Sequence, residues 1–145
     1  MTPADDAPVR PYPIPDEASG PYWESAERGV LSIQRCRTCG RYHVPPQDFC
    51  LSCHSEDMAW EPVSGRGVVY GYTEVGAGAR HPYWAARTPF ICGIVELDEQ
   101  PGLLLYTTFP GAALADLKAG APVEVIFERL PTGQTLPEFV LTEEN

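Results

Sequence analysis

Positive charge is scarce in this 145-residue sequence: ten basic residues stand against twenty acidic ones, a net charge of −10. The deficit is spread along the chain, with five basic and nine acidic residues in 1–59 and five and eleven in 60–145. No segment supplies the clustered cations that phosphate-backbone binding requires, so no nucleic acid is expected as a partner. No apolar run approaches the ~20 residues of a membrane span, and no membrane association is expected. Residues 1–16 are acidic and proline-rich and carry no apolar centre like that of a secretory signal, so the expected location is cytoplasmic. Catalytic signatures are missing too: there is no Gly-x-Ser-x-Gly elbow, no P-loop and no dinucleotide fingerprint. His81 and Cys92 could be imagined as a base and nucleophile, but a thiol within an apolar strand run is expected to be a small, inert core residue. With no catalytic residue to name, the chain reads as a binding or scaffolding module, not an enzyme by itself.

What the sequence does have is two Cys-x-x-Cys knuckles, Cys36-Arg37-Thr38-Cys39 and Cys50-Leu51-Ser52-Cys53. A knuckle lets two sulfurs reach one ion from a tight turn, and the ten residues between the pairs let the second fold back onto the first. The pattern points to a structural Zn²⁺ held by Cys36, Cys39, Cys50 and Cys53. Iron accepts the same tetrahedral sulfur geometry and stays open as the alternative. Four protein ligands leave no position for an activated water, so the metal is a staple. Gly40 follows the first knuckle, where positive φ is useful. The second knuckle has no glycine, and its turn must rest on Ser52 and His54. His43 and His54 lie next to the sulfurs and suit positions outside a shell that four thiolates complete.

Sixteen prolines and thirteen glycines favour short strands and turns over long helices. We divide the chain into a proline-rich N-terminal arm (1–20), a helix with the zinc ribbon (21–60) and a β domain (61–145). The arm lacks the apolar surface to order itself. It reads as a solvated tail, with docking along a partner as the alternative and Tyr12 and Ile14 as its sizeable apolar groups. Residues 21–28 read as a short helix with proline in its first turn and Gly29 as its stop. Residues 31–35 and 41–44 read as the strands of the ribbon, and 60–63 leads out of it. Beyond the turn at 64–67, strands are expected at 67–75, 90–97, 103–109, 123–128 and 139–142, with a short helix at 114–118. Five strands with a helix after the third is the order of an OB-fold barrel, with an SH3-like barrel as the rival. The fold class is therefore mainly β: an N-terminal helix and rubredoxin-like zinc ribbon, then a five-stranded OB-fold barrel. The segment 76–89 is the longest irregular stretch and carries Arg80, His81, Tyr83, Trp84 and Arg87. Tyr, Trp and Arg are enriched in binding hot spots, so these residues, with Tyr22 and Trp23 on the helix, are candidate partner or ligand contacts. The competing reading is a hairpin tip whose aromatics fold back on the barrel. Arg66, Arg80 and Arg87 suit contact with the phosphates of a CoA ester.

In order along the chain, Tyr22-Trp23, the run 31–36 entering the first knuckle, Pro45-Pro46, Cys50, Cys53, Trp60, the run 64–69, Pro89-Phe90, the run 94–97 and Pro137-Glu138-Phe139 form an ordered set. Over about residues 21–142 the chain resembles a family of two-part proteins, a rubredoxin-like zinc ribbon followed by an OB-fold, long catalogued as a domain of unknown function. The resemblance implies a non-catalytic partner of acyl-CoA enzymes, above all thiolase-fold proteins, in a hetero-oligomer with acyl-CoA at a composite site. It is similar to the accessory subunit of lipid-transfer-protein-like aldolases, which cleave the side chain of a steroid β-hydroxyacyl-CoA by a retro-aldol reaction. Partnership with another thiolase or an acyl-CoA hydratase is the alternative implied by the same resemblance. A single-stranded nucleic-acid module is the alternative from the fold classes, and the charge opposes it.

Overall fold

In the computed structural model, residues 8–142 are described. The first element, α1 (Gly20–Glu27), carries proline in its first turn and ends where Gly29 takes φ 73°. The ribbon follows as a three-stranded antiparallel sheet in the order β2 (Tyr42–His43), β1 (Ser32–Cys36), β3 (Met58–Pro62). Its two knuckles lie beyond β1 and β2, where the chain turns too tightly to continue a ladder.

The second sheet has five strands: β4 (Arg66–Val75), β5 (Phe90–Leu97), β6 (Leu104–Thr108), β7 (Pro122–Arg129) and β8 (Thr135–Leu141). Their order is β6-β5-β4-β7-β8, all antiparallel. The long β4 serves both halves. Its first residues, Arg66–Val68, pair with β7, Gly67 and Val68 also pair with β5, and a bulge between Val69 and Gly71 bends the remainder away with β5. A bulge adds twist and curvature, which curls a sheet toward closure. A 3₁₀ turn, Leu114–Asp116, joins β6 to β7. This is the nearly closed five-stranded barrel expected of an OB-fold, and the strand order excludes the SH3-like rival.

The core explains why ribbon and barrel hold together. Leu31 and Ile33, from the start of the ribbon, are buried in one cluster with Val69, Val95, Leu97, Leu103, Val123 and Phe139 of the barrel. Tyr42 and Gln100 lock the junction, with the Tyr42 N–H donating to Gln100 Oε1 at 2.8 Å and Gln100 Nε2 donating to the Tyr42 carbonyl at 3.1 Å.

Three expectations need correction. The segment 76–89 is not wholly irregular, since Pro82–Ala85 forms a helical turn, α2, capped by His81 Nδ1 accepting from the Tyr83 N–H. Cys92 is not a core thiol: on β5 the buried positions are Ile91, Val95 and Leu97, and Cys92 lies half-buried on the alternate face. The arm is not a free tail over its described residues, because Arg10 is anchored on the barrel. Tyr12 and Ile14, its expected anchors, are 45% and 84% exposed. Residues 1–7 of the arm lie outside the described residues.

Candidate functional site

The four ribbon cysteines converge. Their sulfurs all lie within 4.8 Å of one another, with Cys36–Cys53 at 3.6 Å and Cys39–Cys50 at 3.5 Å. A tetrahedral ion with Zn–S bonds of about 2.3 Å needs sulfur–sulfur edges of about 3.8 Å, so the donor set fits a single ion of that kind. Cys36 and Cys50 are buried, while Cys39 and Cys53 face outward.

Backbone geometry prepares the sulfurs for a cation. The Cys39 N–H points at Cys36 Sγ at 3.4 Å, and the Ser52 and Cys53 N–H groups point at Cys50 Sγ at 3.3 and 3.4 Å. The Cys39 amide, followed by that of Thr38, holds the Cys36 thiol down to about 6 against the opposing effect of burial. The Cys53 amide lowers the Cys50 thiol below the ordinary thiol value, again against burial. At Cys53 the amide of Ser55 lowers the value, but burial and the three neighbouring sulfurs outweigh it and push the thiol up to about 12. Four thiolates in one pocket repel one another, and a divalent cation relieves that repulsion. His43 is buried with Nε2 3.3 Å from Cys50 Sγ, and burial followed by the nearby Arg41 charge keeps its ring below the usual imidazole value. A neutral ring donating Nε2–H to the sulfur orients the ligand from outside the shell. His54 is exposed and turns the second knuckle at φ 65°.

The expected contact residues fall in three places. Tyr22 and Trp23 meet edge to face at 4.7 Å between ring centroids. Tyr22 is packed against the core, and burial raises its phenol to about 12. Together with Ile33, Pro45, Pro46 and Trp60 they line a small apolar pocket of about 200 Å³ between helix and ribbon. Tyr83, Trp84 and Arg87 gather at one end of the barrel: Trp84 packs on Phe90 at 4.7 Å, and the Arg87 guanidinium lies 3.5 Å from the Tyr83 ring centroid. Trp84 thus folds back on the barrel, while Tyr83 packs on Trp84 and Arg87 within its own segment. Arg66, Arg80 and His81 are exposed, and Arg66 starts β4 while Arg80 and His81 precede α2.

One constellation escaped the sequence reading. Arg10 Nη1 donates to Glu128 Oε2 at 2.5 Å and to Glu138 Oε1, and its guanidinium lies 5.1 Å from the Trp84 ring. Glu138 is 2% exposed and also accepts from Thr108 Oγ1 at 3.2 Å. Burial first, then the neighbouring Glu128, raises its carboxyl to about 7 although Arg10 pulls the other way. Nothing in local sequence marks a pairing across 118 and 128 residues; the sole cue is a carboxylate in strand context beside Phe139.

A four-cysteine ribbon with a metal-ligating donor set, fused through its first strand to an OB barrel, defines a two-part module. Residues 23–59 match the profile "ChsH2, rubredoxin-like zinc ribbon domain", and residues 60–128 match "ChsH2, C-terminal OB-fold domain". The chain belongs to the ChsH2 family. It is similar to a chain of the solved "Ltp2-ChsH2(DUF35) aldolase", at TM-score 0.79 and 31% identity, over 90% of this chain and 98% of that one. A "Probable enoyl-CoA hydratase alpha subunit" from Thermomonospora curvata is 33% identical over 132 residues, 90% of this chain and 40% of that protein. The "Benzoylsuccinyl-CoA thiolase subunit BbsA" of Geobacter metallireducens is 29% identical over 86 residues, 59% of this chain and 50% of that protein. The chain thus spans half or less of the length of these two relatives. A DUF35-family protein of unknown function from Sulfolobus solfataricus shares the fold at TM-score 0.61 and 16% identity, over 87% of this chain and 86% of that one.

Proposed function

We propose that this chain is a non-catalytic accessory subunit that binds and supports a thiolase-fold acyl-CoA aldolase. The observation that carries the reading is the likeness to the Ltp2–ChsH2 aldolase chain over nearly that chain's whole length. In the reaction, a base on the partner takes the proton of the β-hydroxyl group of a β-hydroxyacyl-CoA. The bond between the α and β carbons breaks, the β carbon leaves as a ketone, and the α carbon of the shortened acyl-CoA takes up a proton. The steroid side chain is the substrate class we infer from the family resemblance. This chain contributes shape and charge at a composite site, where Arg66, Arg80 and Arg87 suit the CoA phosphates and Tyr22, Trp23, His81, Tyr83 and Trp84 suit contact with partner or ligand. The ribbon metal is zinc, the usual occupant of a closed four-cysteine site. The working location is the cytoplasm; among the described residues no helix is long and apolar enough to cross a membrane. The similarity to BbsA favours a second reading, a subunit of a thiolase that makes or breaks a β-ketoacyl-CoA.

The test is co-expression with an Ltp2-type aldolase and, separately, with a thiolase-fold subunit of the BbsA type of enzyme. A stable hetero-oligomer whose retro-aldol rate depends on this chain is the expected result. The thiolase reading takes over if the complex and the rate dependence arise with the second partner alone. Turnover of a thioester by the isolated chain at the rate of the complex overturns both.

A further inference from the structure

The outer surface of β4, β5 and β6 is unusual in what covers it. Tyr106 stands 88% exposed in mid-strand and Tyr70 56%. The register sets Tyr106 beside Ile94 and Ile94 beside Gly71 across three adjacent strands. Gly71 carries no side chain, so beside Ile94 the face sinks toward backbone level in a shallow depression of about 600 Å³. No charged side chain lines this depression, although the chain carries thirty charged residues.

An exposed, uncharged, tyrosine-rich face in an otherwise acidic protein needs an occupant. Two tyrosines at these exposures offer on the order of 200–350 Å² of contact area. That is enough for the centre of an interface burying about 800 Å² per partner, with the flanks supplying the rest. Charge decides among the candidates. A second copy would bring two surfaces of net charge −10 together without an opposing patch, and a nucleic acid would meet aromatics with no cation beside them. A less acidic protein surface meets neither penalty.

We propose that this tyrosine face is where the partner enzyme subunit docks, with Tyr106 at the centre of the contact. The inference rests on the accessory-subunit reading and adds to it the surface. Tyrosine suits the role because it presents a large contact area with few rotatable bonds.

The experiment titrates a purified Ltp2-type aldolase subunit with the full chain and with two face variants, Tyr106→Lys and Tyr70→Lys. The control is Phe49→Lys at the ribbon tip, where the side chain is 47% exposed. A central hot spot lost to a buried charge should weaken association at least about 30-fold. The ribbon-tip control should stay within about threefold of wild type. Thermal unfolding checks that the variants fold, which their exposure favours, and the two positions guard against one misfolding. If wild type binds and both face variants bind equally well, the docking face is overturned while the accessory-subunit reading stands. If wild type does not bind, that reading falls and the inference falls with it. Sedimentation of the chain alone is the further arm: a dimer that Tyr106→Lys dissociates gives the face to a second copy and overturns the proposal. Salt-sensitive binding of a single-stranded oligonucleotide, lost in the same variant, overturns it as well.

Discussion

Gly40 and His54 occupy equivalent positions in the two knuckles. Each follows the second cysteine of its pair, each takes positive φ (82° and 65°), and each N–H closes onto the carbonyl of the first cysteine at 2.9 Å. The second knuckle therefore does with histidine what the first does with glycine. A left-handed conformation costs a non-glycine residue about 1–2 kcal/mol, and glycine's extra freedom in the unfolded chain returns about 0.5–1 kcal/mol of that difference. His54→Gly should leave stability within about 1 kcal/mol of wild type and keep one metal per chain. His54→Val, β-branched at the same φ, should destabilise the ribbon by about 1–2 kcal/mol more. Chelator challenge followed by far-ultraviolet circular dichroism separates the two variants.

Metal removal should reach beyond the ribbon. Structural zinc contributes about 10–16 kcal/mol of apparent binding energy in small cysteine-rich domains. Because Leu31 and Ile33 belong to the barrel's own core, loss of the ribbon uncovers that core as well. Each large apolar side chain withdrawn costs about 1.5–3 kcal/mol. Cys36→Ser should release the metal and also lower the barrel's unfolding midpoint, read from hydrogen exchange at Val95 and Val123. A barrel whose exchange protection is unchanged would mean that β1 stays seated without its ion.

The ribbon and the barrel order were legible because their determinants are local: knuckle spacing, alternation, and glycine or proline at turns. β5 is found at the residues the alternation indicates, Phe90–Leu97. β8 begins at Thr135, four residues before its expected start, because Pro137 and Glu138 argue locally against a strand. Both are accommodated by tertiary context. Pro137 sits opposite Phe127 in the ladder, and Glu138 finds Arg10 and Thr108. The Arg10 contact was invisible because its partners are more than a hundred residues away. Cys92 was misassigned because an apolar run does not reveal which of its alternate residues face inward. The tyrosine face was hidden for a related reason: tyrosine is a common core and strand residue, and only the sheet shows Tyr70 and Tyr106 turned outward.

Gly93 should tolerate no side chain. Besides the Gly71 oxygen at 2.2 Å, a Cβ there would meet Tyr72 Cα at 2.8 Å and Phe109 Cε2 at 3.0 Å. Two of the three are backbone atoms, so relief requires moving β4 away from β5. Overpacking of this kind costs about 1–3 kcal/mol or more. Gly93→Ala should lower the chemical unfolding midpoint, whereas Gly76→Ala, with open space around its Cα, should change it by less than about 0.5 kcal/mol.

Glu138 should make stability depend on pH in an unusual direction. Its carboxyl is raised from an ordinary 4.5 to about 7, so between these values the folded chain holds a proton that the unfolded chain has released. Stability then falls as pH rises across that window and levels off above about 7, opposite to the trend of carboxylates held down by ion pairs. Glu138→Gln removes the titrating proton and should flatten the slope between pH 4.5 and 7. Arg10→Ala acts on the same window from the other side. Without the guanidinium, burial and Glu128 act unopposed, so the Glu138 carboxyl should rise further and the slope should extend above pH 7. The double variant, lacking both groups, should match Glu138→Gln in slope. A coupling between positions 10 and 138 that is absent at pH 5 and grows toward pH 8 is the expected result of the four-way comparison by urea unfolding. A coupling equal at the two pH values would mean that Glu138 is already ionised at pH 5, with Arg10 outweighing burial.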